Sequence, residues 1–350
     1  MMTVREKAET AGAPSIPWVD RLRDWVVKWG FIVITLVLIV YFFGTEDTFR
    51  RSTTLLSILK YVSVTAIAGL GLTTAMAVGG LDLSIGGVAG MAVTISAMTM
   101  VIYDQVGWVA IGTVLLAGAL VGLINGILIV KFRIPDLLAT LSMMYAIQGL
   151  KLVFVQGQSV STGMPLPNGT VAAGRFTPDF LWIDNGYIGP VPTPVVIFLV
   201  LTFVAWFFLT RTRWGRVMYA IGANPEAARL AGANVSRYRI AAYIISGLFA
   251  AVAGLILASR IGQGDITAGN SLLLDSVAVA LLGMSVMGLN LPNAWGTSLG
   301  AVMLGVVLTG TTIAGFPYYA QDTIEGAILI IALVFSYTLS RKKARYVSAV

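Results

Sequence analysis

Long apolar stretches separated by short polar turns run through most of the chain. The first is Trp25 to Phe43, closed by Gly44-Thr45-Glu46-Asp47; the second starts near Thr53 and carries no charge from Tyr61 to Leu81. Its helical pattern is interrupted by Gly79-Gly80-Leu81-Asp82-Leu83-Ser84-Ile85-Gly86-Gly87, after which a third stretch reaches about Tyr103. The fourth lies between Gln105 and Val130, and the turn Lys131-Phe132-Arg133-Ile134-Pro135-Asp136 leads into a fifth that ends near Val155. An α-helix rises about 1.5 Å per residue, so roughly 20 apolar residues cross the hydrocarbon of a bilayer. Each stretch therefore predicts one membrane-crossing helix.

Residues 156–192 are rich in Gly, Pro, Asn and Thr and predict an external loop with room for a short helix. A sixth span is expected over Thr193–Thr210 and a seventh over Ile240–Ser259. Residues 276–321 hold no charge and are too many for one crossing; Asn290-Leu291-Pro292-Asn293 divides them into an eighth and a ninth. The tenth, Glu325–Leu339, precedes the basic run Arg341-Lys342-Lys343-Ala344-Arg345. The expected fold class is an all-α integral membrane protein of about ten transmembrane helices. It divides into a polar tail over 1–24, a membrane domain over 25–340 and a second tail over 341–350.

Composition points to the same solvent. Charged residues are 11% of the chain, against about 25% in a soluble domain, and the mean hydropathy is +0.86. Cysteine and histidine are both absent, which removes disulfides, thiolate and imidazole metal sites, and catalysis by Cys–His or Ser–His pairs. It also makes Gly296-Thr297-Ser298-Leu299-Gly300 an empty match to the hydrolase elbow. The net charge of +7 would suggest nucleic acid in a soluble protein; here it marks one side of the membrane. With both termini cytoplasmic, the inner segments, counted with 1–28 and 341–350 at the two ends, hold 17 of the 23 Lys and Arg; the others are Arg50, Arg51, Lys60, Lys151, Arg175 and Arg260. That skew puts 79–86, 131–136, 211–239 and 290–294 inside.

The segment 211–239 carries Arg211, Arg213, Arg216, Arg229, Arg237 and Arg239 against one acid, Glu226. Within it Asn224-Pro225-Glu226-Ala227-Ala228 reads as a helix start: Asn caps, Pro suits the first turn, and Glu favours the positive end. Gly232 stops the helix after about two turns. So short a helix is not stable alone in water, so a partner must dock on it.

Glu226-Ala227-Ala228-x3-Gly232 resembles the EAA-x3-G core of the cytoplasmic loop in permease subunits of ABC importers. Around it, Gly215-Arg216, Ala220-Ile221-Gly222-Ala223-Asn224-Pro225 and Arg229 to Val235 resemble the signature of the ribose, xylose and galactoside type. Gly80-Leu81-Asp82-Leu83-Ser84-Ile85-Gly86 is similar to that type's GIDLSxG segment, and the likeness runs from about residue 53 to 340. A departure is Gly288 to Gly296, which lacks the arginine of the usual Gly-Gly-Arg-Gly-Ser-like turn.

The resemblance implies a multi-pass permease of a bacterial plasma (inner) membrane that forms the path for a simple sugar or polyol. It implies three partners: an ABC ATP-binding subunit, an extracytoplasmic sugar-binding protein, and a second permease copy or paralogue. Asn224, Pro225, Glu226, Ala227, Ala228, Arg229 and Gly232 would form the ATPase-coupling loop, with Glu226 and Arg229 at its rim. The chain contains no G-x4-G-K-[ST], so ATP and Mg belong to the partner and no cofactor is expected here. A secondary transporter driven by an ion gradient is the alternative; it would place acids or broken helices at mid-membrane.

Gly80, Asp82, Ser84 and Gly86 mark a chain break. Asp82 reads either as a cap on the third span, with Ser84, or as part of a gate in a discontinuous helix. Glycine rows at 118, 122 and 126, at 86 and 90, and at 296 and 300 predict close helix packing within the subunit. Gln148, Asn125, Thr73, Thr74, Ser142 and Asn270 are candidates for the substrate path by residue type alone.

Overall fold

A computed structural model describes residues 18–166, 169–286 and 291–320, with positions 323, 324, 326, 327 and 330. Residues 1–17 of the first tail, residues 288–290 of the departing turn, most of the expected tenth span and the tail over 341–350 lie outside the described residues. The helices are α1 (Trp18–Thr45), α2 (Ser52–Ala77), α3 (Ile85–Ala97, prolonged by a π-helical turn Met98–Ile102), α4 (Gly107–Val130) and α5 (Asp136–Phe154). After α6 (Pro178–Asn185) comes a hairpin of β1 (Tyr187–Ile188) and β2 (Val191–Pro192). Then follow α7 (Thr193–Arg211), α8 (Arg213–Ala223), α9 (Pro225–Leu230), α10 (Val235–Ile261), α11 (Leu272–Val286) and α12 (Ala294–Ile313).

Among the described residues seven helices are long and apolar enough to cross a membrane: α2, α3 with its π-turn, α4, α5, α7, α10 and α12. Shorter apolar stretches, Thr35–Thr45 in α1 and Leu272–Met284 in α11, stand where the first and eighth spans were expected. The basic segment differs from expectation. It holds two helices, α8 and α9, and α10 begins at Val235 rather than Ile240. The reason is capping. Thr212 Oγ1 accepts the Gly215 N–H at 3.2 Å and Asn234 Oδ1 accepts the Arg237 N–H at 3.2 Å, so each polar residue starts a new helix.

Helices α2, α3 and α10 form the centre, with α4 and the α11–α12 pair packed around them. The glycines of α4 allow the closest contact. A Cβ at Gly118 would lie 2.6 Å from the Gly247 carbonyl oxygen, one at Gly122 would strike the Tyr243 carbonyl, and one at Gly126 would meet Ile240 Cα at 2.9 Å. Gly296 and Gly300 do the same toward Gly283 and Val279 of α11. The rows serve packing within the subunit, where small residues let backbones approach.

The four segments that the charge count assigns to one side meet at one end of the bundle. Gly79 touches Gly222, Arg239 pairs with Asp136 at 3.0 Å, and Tyr219 donates to the Pro292 carbonyl at 2.6 Å. At the other end α6 is bolted down. Asp184, 1% exposed, receives Lys60 of α2 at 2.8 Å and Arg260 of α10 at 3.1 Å, and Ser259 Oγ accepts the Asp184 N–H. Val160 and Gly264 pair across the two loops of that end.

Candidate functional site

Helix α8 is amphipathic in a simple way. Gly215, Met218 and Ile221 recur at intervals of three and are buried against Ala77, Val78 and Leu209, while Arg213 and Arg216 stay outside. This lays the helix flat along the end of the bundle. Helix α9 then projects from it. Asn224 Oδ1 accepts the Ala227 N–H at 3.0 Å, with Pro225 at the first helical position. At the far end Gly232 has φ +87°, a conformation that L side chains disfavour. The Gly232 N–H donates to the Arg229 carbonyl at 2.9 Å and the Ala233 N–H to the Ala228 carbonyl at 3.0 Å, the two bonds of a Schellman ending.

Only Ala228 of α9 is buried, in an apolar cluster with Ala77, Val78, Met218 and Ala242. The opposite face is open. Glu226 and Arg229 pair at 3.4 Å with side chains 72% and 63% exposed, an arrangement that contributes less than about 1 kcal/mol. Leu230 is 89% exposed. The helix is thus a short bracket, fixed by two caps and one alanine, which holds a leucine and two opposite charges outward.

Behind the bracket lies the chain break between α2 and α3. A Cβ at Gly222 would strike the Ala77 carbonyl, and Gly79 meets the same glycine, so α8 rests directly on residues 77–79. Met76, Gly79, Leu81, Tyr219, Leu281 and Pro292 line a half-open cleft of about 350 Å³ there. Burial pushes the Tyr219 phenol up to about 12, so it remains a proton donor to Pro292 at any physiological pH.

In the break itself Asp82 is 1% exposed. Its Oδ1 accepts both the backbone N–H of Ser84 at 3.0 Å and the Ser84 hydroxyl at 2.6 Å; Asn125 of α4 donates to Ser84 Oγ at 2.9 Å. The capping geometry differs from expectation. Asp82 Oδ1 bonds Ser84 and not the first turn of α3, and Ser84, at the N-cap of α3, makes no side-chain cap bond. Asp82 Oδ2 has no hydrogen-bond partner, and Ser246 of α10 lies alongside. Gly80 makes room for two side chains: a Cβ there would meet Asp136 Oδ2 at 2.7 Å and collide with the Tyr243 hydroxyl. Asp136, Arg239 and Tyr243 form a cluster that the sequence reading missed, with Tyr243 donating to Asp136 at 2.8 Å.

Gly86 leads to a second break, also missed. A Cβ on Gly86 would lie 2.9 Å from the Gly269 carbonyl, and one on Gly269 would lie 2.5 Å from the Gly86 carbonyl. Between α10 and α11 the chain is non-helical over 262–271 and runs beside α3, with Gly264 against Ala97 and Ala268 against Gly90. Its sequence Asp265-Ile266-Thr267-Ala268-Gly269 repeats the pattern of Asp82-Leu83-Ser84-Ile85-Gly86. So does its geometry: Asp265 Oδ1 accepts the Thr267 N–H at 2.7 Å and the Thr267 hydroxyl at 2.8 Å. Two like breaks, one reached from each end of the bundle, touch at their equivalent glycines. The signal was present as Asp-[Leu/Ile]-[Ser/Thr]-x-Gly occurring twice.

Of the path candidates, Thr73, Thr74 and Asn125 are sealed in the core; Thr73 bonds Thr297 at 2.7 Å. Ser142 and Asn270 are exposed and Gln148 is half-buried.

Removing the Asp82 carboxylate leaves the Ser84 N–H without its acceptor in a dry site, a loss of about 1–3 kcal/mol. Asp82→Ala is expected to lower the yield of folded protein and its Tm in detergent while leaving solute preference unchanged. A variant that folds normally but carries a different solute would place Asp82 in the transport path instead.

Comparison with known proteins gives a family and several relatives. The ribose import permease protein RbsC of Escherichia coli K12 is 31% identical over 312 residues, covering 89% of this chain and 94% of the relative. RbsC of Bacillus subtilis is 30% identical over 315 residues, covering 90% and 91%. The xylose transport system permease protein XylH of E. coli K12 is 28% identical, covering 89% and 92%. No solved structure matches the chain. Residues 54–333, which include both breaks and the bracket, match the profile described as branched-chain amino acid transport system / permease component, and the chain belongs to that family.

Proposed function

We propose that the chain is the membrane subunit of an ATP-driven importer and forms the translocation path for a simple sugar or related polyol. An external binding protein delivers the solute. Helix α9 docks an ATP-binding subunit, which holds ATP and Mg, and a second permease copy or a paralogue completes the path. Both termini and the basic segment 211–239 face the cytoplasm of a bacterial inner membrane.

The observation that carries this reading is α9. A leucine 89% exposed, flanked by Glu226 and Arg229 on a helix with caps at both ends, is the surface expected of a docking element. Ala228 seats α9 on Ala77 and Val78, and the adjoining α8 rests on Gly79 through Gly222 and on Pro292 through Tyr219, which gives a route by which a push on α9 reaches the break at Asp82. The names of the relatives favour a pentose. The family description names branched-chain amino acids, which are zwitterions and need paired charges in the path.

The test is uptake by proteoliposomes containing the permease, its ATP-binding subunit and its binding protein. Uptake of D-ribose or D-xylose should require ATP and ignore imposed proton and sodium gradients. Uptake that follows a gradient and ignores ATP would make the chain a secondary transporter.

A further inference from the structure

The middle of helix α5 is exposed in the wrong way for a lipid-facing helix. Only 28% of its most apolar stretch is buried, the smallest share among the seven spans, yet its mean hydropathy of 1.5 is tied for the lowest. The other poorly buried spans, α4 and α7 at 39%, reach 2.4 and 2.3. The exposed face of α7 carries Leu199, Val200, Phe203, Val204 and Phe207, as lipid contact requires. The exposed surface of α5 is apolar toward its ends, at Leu137, Leu138, Leu152, Val153 and Phe154, but its middle turns carry Ser142, Tyr145 and Gly149 at spacings of three and four, with half-buried Gln148 one turn from Tyr145. Tyr145 is 63% exposed, and a Cβ on Gly149 would meet nothing within 4 Å. Polar groups facing hydrocarbon are costly, so these middle turns look onto something wet.

Its place in the bundle says what. Met144 of α5 packs on Gly87, one residue from the Gly86–Gly269 contact where the two breaks meet, and Asn270 and Ser271 follow directly and are exposed. Broken helices that meet inside the membrane are where transporters hold their solutes. Two of the nearby charges are turned inward, Lys151 at 4% exposed and Asp82 at 1%, and half-buried Asp265 is engaged by the Thr267 N–H and hydroxyl.

We infer that Ser142, Tyr145 and Gln148 of α5, with Asn270 and Ser271 beside the second break, line a water-filled solute passage suited to a neutral, polyhydroxylated solute. This rests on the importer reading and names its contacts. Hydroxyls and amides match sugar hydroxyls, and the exposed tyrosine ring offers a flat face to the apolar side of a pyranose or furanose. A zwitterionic amino acid would find no exposed charge among these five groups.

The chain contains no cysteine, so single thiols can be introduced without background. Ser142→Cys, Tyr145→Cys and Asn270→Cys are compared with Val200→Cys and Val204→Cys in the assembled complex, using a charged, membrane-impermeant methanethiosulfonate. Thiols on the passage should react at least about tenfold faster than those on α7, because apolar surroundings suppress the thiolate. D-ribose or D-xylose should slow that reaction and L-leucine should not. Gln148→Ala and Tyr145→Ala should lower pentose uptake while ATP hydrolysis stimulated by the binding protein continues. Equal labelling of α5 and α7 would overturn the passage, and protection by leucine rather than a pentose would overturn the solute class. The labelling ratio is read with or without ATP, so it fails or stands separately from the importer reading.

Discussion

Ala228→Pro should abolish ATP-coupled uptake while leaving the permease inserted in the membrane. Position 228 is the fourth residue of α9, and its N–H donates to the Asn224 carbonyl at 3.1 Å. Proline removes that donor and its ring collides with the same carbonyl, at a cost of about 3 kcal/mol or more. A helix of 6 residues has no further turns to absorb the loss. Leu230→Asp is the companion variant. It leaves the helix and its caps in place, since the side chain is 89% exposed and supports nothing within the subunit. If the leucine is buried by the ATP-binding subunit, its loss costs about 1.5–3 kcal/mol, roughly tenfold to 150-fold in affinity. Glu226→Lys should weaken the same contact by reversing a charge at its rim. Copurification with the ATP-binding subunit and ATP-dependent uptake are the readouts; normal values for both Ala228→Pro and Leu230→Asp would remove α9 from the coupling mechanism.

The second large effect lies at the opposite end. Asp184→Ala leaves Lys60 and Arg260 facing each other without the buried carboxylate that joins them. Breaking a buried ion pair from one side costs about 3–5 kcal/mol, most of it the penalty of the charge left behind. Thermal unfolding in detergent should show a marked fall in Tm, and protease should reach the 156–192 loop in intact cells. Asp184→Asn, which keeps the shape and one acceptor, should recover part of the loss. An unchanged Tm for Asp184→Ala would mean that α6 is held by its apolar contacts alone, chiefly Phe180, which is 1% exposed.

These two ends differ in how far the sequence exposed them. The bracket was legible because capping is local: Asn224, Pro225 and Gly232 act within a few residues of themselves, and their side chains or backbone angles do the same job in any setting. The break at 79–87 was legible for the same reason. The second break was not read, although Asp265-Ile266-Thr267-Ala268-Gly269 stands in plain view, because a five-residue pattern acquires meaning only when its partner is found beside it. The clamp on Asp184 joins residues far apart in the chain, at 60, 184 and 260, and no periodicity announces such a meeting.

By itself the sequence determined the solvent, the spans expected over α2 to α5, α7, α10 and α12, and the short capped helix in the basic segment. Apolar length and local hydrogen bonding decide those matters, and neither depends on distant neighbours. Which polar residues face open space was decided only in three dimensions. Thr73, Thr74 and Asn125 are as polar by type as Ser142 and Gln148, yet the first three close hydrogen bonds inside the core while α5 turns the others outward. Side-chain chemistry fixes what a residue can bond; only packing fixes whether a solute can reach it.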